Sequence, residues 1–363
     1  VDKRKPMLWD LYCRVIDNYG DIGVCWRLAV GLAARGEAVR LWTDDLSALE
    51  WMAPAGHSNV QVMQWPGGTR LPEPVPKPEP DPGDVVIEAF GCELPAPLLD
   101  AMTRRAASGQ PAVWINLEYL TAESFAERAH GLPSPVMSGL AKGLTKHFFY
   151  PGFTRRTGGL IREDDLRARL SAFDREAWLA RLGIAFSGEM LVSLFCYEPP
   201  ALPGLLDLLD AQAEPVRLLV TPGRAERAVK AAIAVNEPKR LAITFLPALP
   251  QTAFDELLWA CDLNFVRGED SLVRALWAGA PFVWQVYPQD DGAHLAKLDA
   301  LLATLELPDS IRRFHRAWNR VSAGPLPELD LRAWARATTE ATNRLWQQED
   351  LITQLLGFVQ KKR

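Results

Sequence analysis

The sequence predicts an α/β protein that builds one architecture twice. Short β-rich apolar runs alternate with helical patterns in both halves, a polar helical stretch separates the two series, and only helix follows the second. A chain of 363 residues, 48% hydrophobic and 23% charged, also suits about two globular domains better than a single core or a disordered polymer.

The first series opens with a β-rich run from Leu8 to Ile16, the loop DNYGDIG (Asp17 to Gly23), and an amphipathic helix from about Val24 to Arg35 with Gly36 at its C-cap. Strands are expected near Val39–Trp42, Val60–Trp65, Val85–Ala89 and Ala112–Asn116, with helices near Leu46–Met52 and Ala96–Ala107. Proline at nearly every second position of Leu71–Asp84 predicts a stiff, polyproline-like surface loop. Polar helical sequence from Glu163 to Leu182 reads as a hinge.

The second series places strands near Met190–Phe195, Arg217–Val220, Ile243–Leu246, Leu263–Val266 and Phe282–Val286. Helices near Leu202–Leu209, Arg224–Ala234, Ala253–Ala260, Leu272–Ala278 and His294–Leu305 intervene. Beyond Asp309 the pattern is helical through Trp318, Trp334 and Trp346 to the basic KKR. The predicted division is therefore 1–175, 184–325, and helices over 326–363 that return towards the first domain.

Composition narrows the function. A formal charge of -5 argues against a nucleic-acid binder held by bulk electrostatics. No apolar run reaches the ~20 residues that span a bilayer, so no membrane partner is expected. The opening VDKRKPMLWDLY lacks the apolar segment and cleavage site of a signal peptide. Five scattered cysteines without CxxC spacing read as reduced core residues of a cytoplasmic protein. The five histidines lack paired-ligand spacing, so no metal is expected. Absence of DxD, GxSxG, a Walker loop and a Cys–His pairing weakens metalloenzyme, hydrolase and kinase readings.

In open parallel sheets ligands gather where strands run into helix N-termini. The first such loop, Asp17 to Gly23, has glycines for a tight turn but not GxGxxG, and its two carboxylates would repel a pyrophosphate. Asp17 and Asp21 suit a cation or general-base work; turn and cap chemistry accounts for them equally well. The second loop is Arg267-Gly268-Glu269-Asp270-Ser271. Arg267 and the backbone amides there offer a phosphate seat and Glu269 an acceptor for sugar hydroxyls, while Asp270 or Ser271 would cap the helix in an ordinary start. Trp284, Gln285, Tyr287 and Gln289 suit a base or sugar, although a lone Trp284 is more often core. In SLFCYE (Ser193–Glu198), Phe195 and Tyr197 share one side of a strand and could sandwich a nucleobase; core burial is the plainer reading of Phe195. Gln251 is either a reader of a base's amide edge or a solvated helix start.

DNYGDIGVCWRLA (Asp17–Ala29), FFYPGFTRRTGGLIRE (Phe148–Glu163), SLFCYE and RGEDSLVRALWAGAPFVWQVYPQ (Arg267–Gln289) together resemble the elongation factor P arginine rhamnosyltransferases, in the same order along the chain. The resemblance implies a GT-B fold of two facing Rossmann-like domains, the first binding acceptor and the second nucleotide sugar. It implies transfer of rhamnose from dTDP-β-L-rhamnose to one arginine of elongation factor P, with inversion and without a metal or other cofactor, in support of ribosomes stalled at polyproline. By motif position, Asp21 becomes the general base beside Asp17, with Asn18, Tyr19 and Gly20 in the substrate-binding loop. Phe195 and Tyr197 enter the nucleotide pocket, Gln251 meets the thymine edge, and Arg267, Gly268, Glu269, Asp270 and Ser271 hold the pyrophosphate and sugar end. Two alternatives stay open: a GT-B transferase with a small-molecule acceptor, and a non-catalytic module that docks elongation factor P.

Overall fold

The structure, a computed structural model, describes residues 5–16, 19–65, 81–288, 292–320 and 325–363. Its first series runs β1 (Leu8–Cys13), α1 (Gly20–Ala34), β2 (Ala38–Thr43), α2 (Ser47–Met52), β3 (Val60–Gln64), β4 (Val85–Ala89), α3 (Ala96–Ala107), β5 (Val113–Leu117), α4 (Phe125–Ala129), β6 (Pro133–Pro135) and β7 (Thr145–Phe149). The second runs α5 (Leu166–Ser171), α6 (Arg175–Arg181), β8 (Met190–Leu194), α7 (Leu202–Asp210), β9 (Val216–Val220), α8 (Arg224–Ile233), β10 (Ala242–Phe245), α9 (Gln251–Ala260), β11 (Leu263–Arg267), α10 (Gly268–Ala278), β12 (Phe282–Gln285), α11 (Ala293–Thr304), α12 (Asp309–Trp318) and α13 (Leu331–Trp346). Helix α14 (Leu351–Lys362) ends the chain.

Two compact units result, residues 1–163 with 348–363, and residues 164–347. The first contains a seven-stranded sheet ordered β3-β2-β1-β4-β5-β7-β6, parallel except where β6 meets β7. Strand alternation explains its two faces. Trp9, Leu11 and Cys13 of β1 point to the side of α1 and α14, where Ile22, Leu28, Leu32, Ile352 and Leu355 complete a core. Tyr12, Val86 and Trp114 point the other way, under Leu98 and Met102 of α3. Asp10, also on β1, is fully buried but satisfied: Arg40 donates to it at 2.6 and 2.7 Å, the Gly83 amide at 2.7 Å and the Trp42 indole at 2.9 Å.

The second unit holds a five-stranded parallel sheet ordered β10-β9-β8-β11-β12. All five cysteines are buried and free, as the scattered spacing predicted. Strands β6 and β7 were not foreseen, because TKHFF is too polar to read as a strand until β5 supplies its hydrogen-bonding partner. Of the proline-rich segment Leu71–Asp84, residues 71–80 lie outside the described residues.

The division differs from the predicted 1–175 and 326–363. Helices α5 and α6 belong to the second unit, since Trp178 and Leu179 enter its core beside Leu191 and Leu257, and Arg175 pairs with Asp262 at 2.8 Å. The helical tail is split. Helix α13 stays with the second unit: Trp334 donates to Ser310 Oγ at 3.0 Å, Thr342 to the Leu276 carbonyl at 2.8 Å, and Trp346 packs on Trp277. Only residues 348–363 join the first unit, where Asp350 caps α14 and pairs with Arg35 at 3.0 Å.

Within the second unit α9 and α10 are tied by a buried ion pair. Arg274 Nε and Nη2 donate to the two oxygens of Asp255 at 2.9 and 2.8 Å, with both side chains essentially inaccessible. Removing one partner strands the other charge in the interior, so Arg274→Ala is expected to cost about 3–5 kcal/mol of stability. Urea unfolding checks this; a loss under about 1 kcal/mol would mean the pair behaves like a solvated surface bridge.

Candidate active site

Both candidate loops lie at the carboxyl ends of strands. In the first unit, α1 starts at Gly20, earlier than expected, with Tyr19 at its N-cap. Asp21 therefore stands in the helix's first turn, where the macrodipole favours a carboxylate. Its side chain is buried at 5% exposure, and Oδ2 accepts a hydrogen bond from the Ile16 amide at 2.9 Å. That bond ties Ile16 to the first turn of α1. Tyr19, half open to solvent, meets Trp51 edge-on at 5.0 Å. Asp17 and Asn18 lie outside the described residues.

In the second unit the chain passes from β11 into α10 through Gly268, whose φ of 66° lies in the left-handed region that glycine tolerates without strain. Arg267 takes the N-cap position, so neither Asp270 nor Ser271 caps α10 as the sequence reading expected. Ser271 lies one turn in and folds its hydroxyl back to Arg267, accepting from the amide at 3.1 Å and donating to the carbonyl. The first amides of α10 have no partner within the helix and point out along its axis, as at any helix start.

Arg267 is 6% exposed, and its guanidinium carbon lies 4.6 Å from the Phe195 ring centroid and 4.4 Å from that of Tyr197. The two rings thus serve a cation, which the sequence reading had not foreseen when it placed a base between them. They also follow β8 rather than lying within it. Gln285 Oε1 accepts from the Tyr197 amide at 2.8 Å, and Trp284 donates to the Gly268 carbonyl at 2.7 Å. Gln251 reaches Asp270 at 3.5 Å from the start of α9, and Glu269 pairs with Lys297 at 2.6 Å. Phe195, Tyr197, Gln251 and the Arg267–Ser271 segment are therefore drawn together at one sheet edge. Gln289 lies outside the described residues.

A cavity of about 250 Å³ adjoins this cluster, lined by Tyr197, Glu198, Arg224, Gln285, His294 and Asn319 among others. Arg224 lies 4.8 Å from the Tyr197 centroid and grips Glu198 through Nε at 2.8 and 2.9 Å. The Arg224 hydrogen bonds hold the Glu198 carboxyl below its ordinary value. Sequence reasoning missed Arg224, although TPGR after a strand is a loop of the kind that flagged Arg267. His294 and Asn319 left no comparable signal. Asn319 secures the end of β12 by donating to the Trp284 carbonyl at 2.8 Å and accepting from the Val286 amide at 2.9 Å.

A larger cavity, about 900 Å³, opens at the amino ends of β5 and β7 between Arg105, Trp114, His147 and Lys362. It lies at the edge of the sheet opposite to Asp21 and contains no motif residue, so its size does not make it the site. Among the described residues no three His, Cys, Asp or Glu side chains cluster as a metal site requires. No helix there is long and apolar enough to cross a membrane.

Comparison with known proteins shows the family. The sequence profile of the elongation factor P (EF-P) rhamnosyltransferase family, EarP, matches residues 9–360. A protein-arginine rhamnosyltransferase of Pseudomonas putida is 43% identical, over 96% of this chain and 98% of its own. Its namesake from Pseudomonas aeruginosa is 41% identical over the same shares. A solved structure addressing EarP-mediated arginine glycosylation of translation elongation factor EF-P is similar with a TM-score of 0.64 and 31% identity, across 98% of this chain and 100% of that one. The Arabidopsis thaliana glycosyltransferase UGT89C1, complexed with quercetin, shares the GT-B fold at a TM-score of 0.54 and 12% identity, across 98% and 99% of the two chains. With the match running almost from end to end, the chain belongs to the EarP family of protein-arginine rhamnosyltransferases and is a GT-B glycosyltransferase that transfers rhamnose to arginine.

Proposed function

We propose that the protein transfers L-rhamnose from dTDP-β-L-rhamnose to one arginine of translation elongation factor P, inverting the anomeric carbon, and that it does so in the cytoplasm without a metal. The downstream consequence is activation of the factor for ribosomes stalled at polyproline. The observation that carries the donor half is the Arg267 guanidinium, buried over two aromatic rings at the N-terminal end of α10. A departing nucleoside diphosphate needs its growing charge met by a cation and by amide donors, and this position offers both.

The acceptor half rests on Asp21. A guanidinium is protonated in protein and its nitrogens are poor nucleophiles. A carboxylate that hydrogen-bonds one N–H draws electron density onto that nitrogen and takes its proton as the new C–N bond forms at C1 of the sugar. The C1–oxygen bond to the diphosphate breaks on the opposite face, which inverts the configuration. The buried Asp21 carboxylate accepts from the Ile16 amide and stands in the first turn of α1, where the helix dipole favours negative charge.

Intact mass spectrometry tests the proposal directly. Unmodified elongation factor P, incubated with the protein, dTDP-β-L-rhamnose and EDTA, is expected to gain one deoxyhexose on a single arginine. No gain with EDTA and a full gain when divalent cations are restored would overturn the metal-free chemistry. No gain in either condition, with donor binding intact by calorimetry, would point to another acceptor.

A further inference from the structure

Arg267 does not keep its place alone. Its guanidinium lies over Phe195 and Tyr197, and each of those rings has a further support. Phe254 of α9 meets Phe195 edge-on at 5.4 Å, an apolar contact. The neighbour of Tyr197 is of another kind: the Arg224 guanidinium, 4.8 Å from the ring centroid. Phe195, Arg267, Tyr197 and Arg224 thus alternate ring and cation along one row, drawn from the carboxyl ends of β8, β11 and β9.

Two guanidiniums over one ring repel each other, and the negative ring face offsets only part of that repulsion. Glu198 supplies the counter-charge. It accepts from Arg224 Nε at 2.8 and 2.9 Å and from Nη2 as well. Those bonds, joined by the positive charges of Arg224, Arg267 and Arg227, outweigh burial and hold the Glu198 carboxyl below its ordinary value. One carboxylate therefore serves both arginines of the row. Its forked grip also fixes the plane in which the Arg224 guanidinium meets Tyr197.

Tyr197 needs such a support, because it follows β8 and no strand ladder holds it. Its amide donates to Gln285 at 2.8 Å, and its ring otherwise meets Tyr287, edge-on at 5.5 Å and itself half open to solvent. Fold stability does not account for the Arg224–Glu198 pair. The two side chains are 33% and 48% exposed, and an ion pair so open to water adds little to folding. What the pair does is geometric.

We infer that Arg224 is a positioning residue for the donor: gripped by Glu198, it fixes the Tyr197 ring and thereby the plane of the Arg267 guanidinium. The inference rests on the donor seat proposed above and adds to it a clamp of two residues that act through Tyr197.

Calorimetry with dTDP and ligand-observed NMR titration with thymidine, on the full chain, test it. Arg224→Met keeps an unbranched stem but removes the charge and the fork. Its Kd for dTDP is expected to rise about 3- to 30-fold, the span of one cation–π contact. Thymidine binding stays unchanged, because thymidine carries no phosphate for Arg267 to meet. Glu198→Gln separates geometry from charge. If the pair acted through net charge alone, losing the carboxylate would tighten the binding of an anion, whereas a broken clamp weakens it in both variants. The double variant is expected to lose no more than the worse single one, and additive losses overturn the inference. Opposite signs for the two variants overturn it, as does unchanged dTDP affinity in Arg224→Met. Equal losses for dTDP and thymidine overturn it too, since they mark a general loosening of the unit. If Arg224→Met fails to fold, Glu198→Gln decides: weaker dTDP binding supports the clamp, and equal or tighter binding overturns it. Wild-type protein that binds no dTDP overturns the donor seat itself; a binding wild type with indifferent variants overturns only the clamp.

Discussion

Asp21→Asn is expected to bind the nucleotide sugar as the wild type does and to transfer rhamnose about 10²- to 10⁴-fold more slowly. Asparagine is the informative replacement. It retains an oxygen for the Ile16 amide, the 2.9 Å bond that ties Ile16 to the first turn of α1, while losing the basic lone pair. Asp21→Ala removes both, so its loss mixes a missing base with a disturbed turn around a side chain that is 5% exposed. Comparing the two separates these contributions. Donor affinity is the internal control, because Asp21 belongs to the first unit and the donor cluster to the second. Single-turnover rates and calorimetry supply both readouts. An Asp21→Asn protein with near wild-type turnover would remove Asp21 as the base.

Arg267→Ala has the largest expected effect on binding. Truncating one member of a desolvated charged contact usually costs about 2–5 kcal/mol, so the dissociation constant for dTDP-β-L-rhamnose should rise at least 30-fold, on the order of 10². Two losses would combine: the charge proposed to meet the diphosphate, and the flat group packed on the Phe195 and Tyr197 rings. Arg267→Lys should recover little, since an ammonium neither stacks as a plane nor offers a fork of donors. Arg267 is also packed inside the unit, so a melting curve is measured on the same sample. Unchanged donor affinity in a folded Arg267→Ala protein would reduce this arginine to an internal strut.

The sequence carried much of this by local rules. A short apolar run located β4 at the same residues that the structure shows, and the interval from Ala96 to Ala107 matched α3 at both ends. Helix starts were less legible. Both α1 and α10 begin earlier than their apolar periodicity, because glycine and acidic residues open them and carry no hydrophobic signal. That difference moves Asp21, Glu269 and Asp270 from loops into first turns, where the helix dipole acts on them.

Residue type and position along the chain were enough to single out Asp21, Phe195, Tyr197, Gln251 and Arg267, since ligands collect where parallel strands end. Their partners were not readable. That Arg267 lies over Phe195 and Tyr197, that Arg274 spends its charge on Asp255, and that α13 and α14 part company all depend on contacts between segments far apart in sequence. By itself the sequence determined two alternating α/β series and the strand ends at which the candidate residues collect, because hydrophobic period and turn residues act locally. Only the tertiary structure decided which side chains share a charge, because burial and electrostatic pairing are set by neighbours that the linear order does not name.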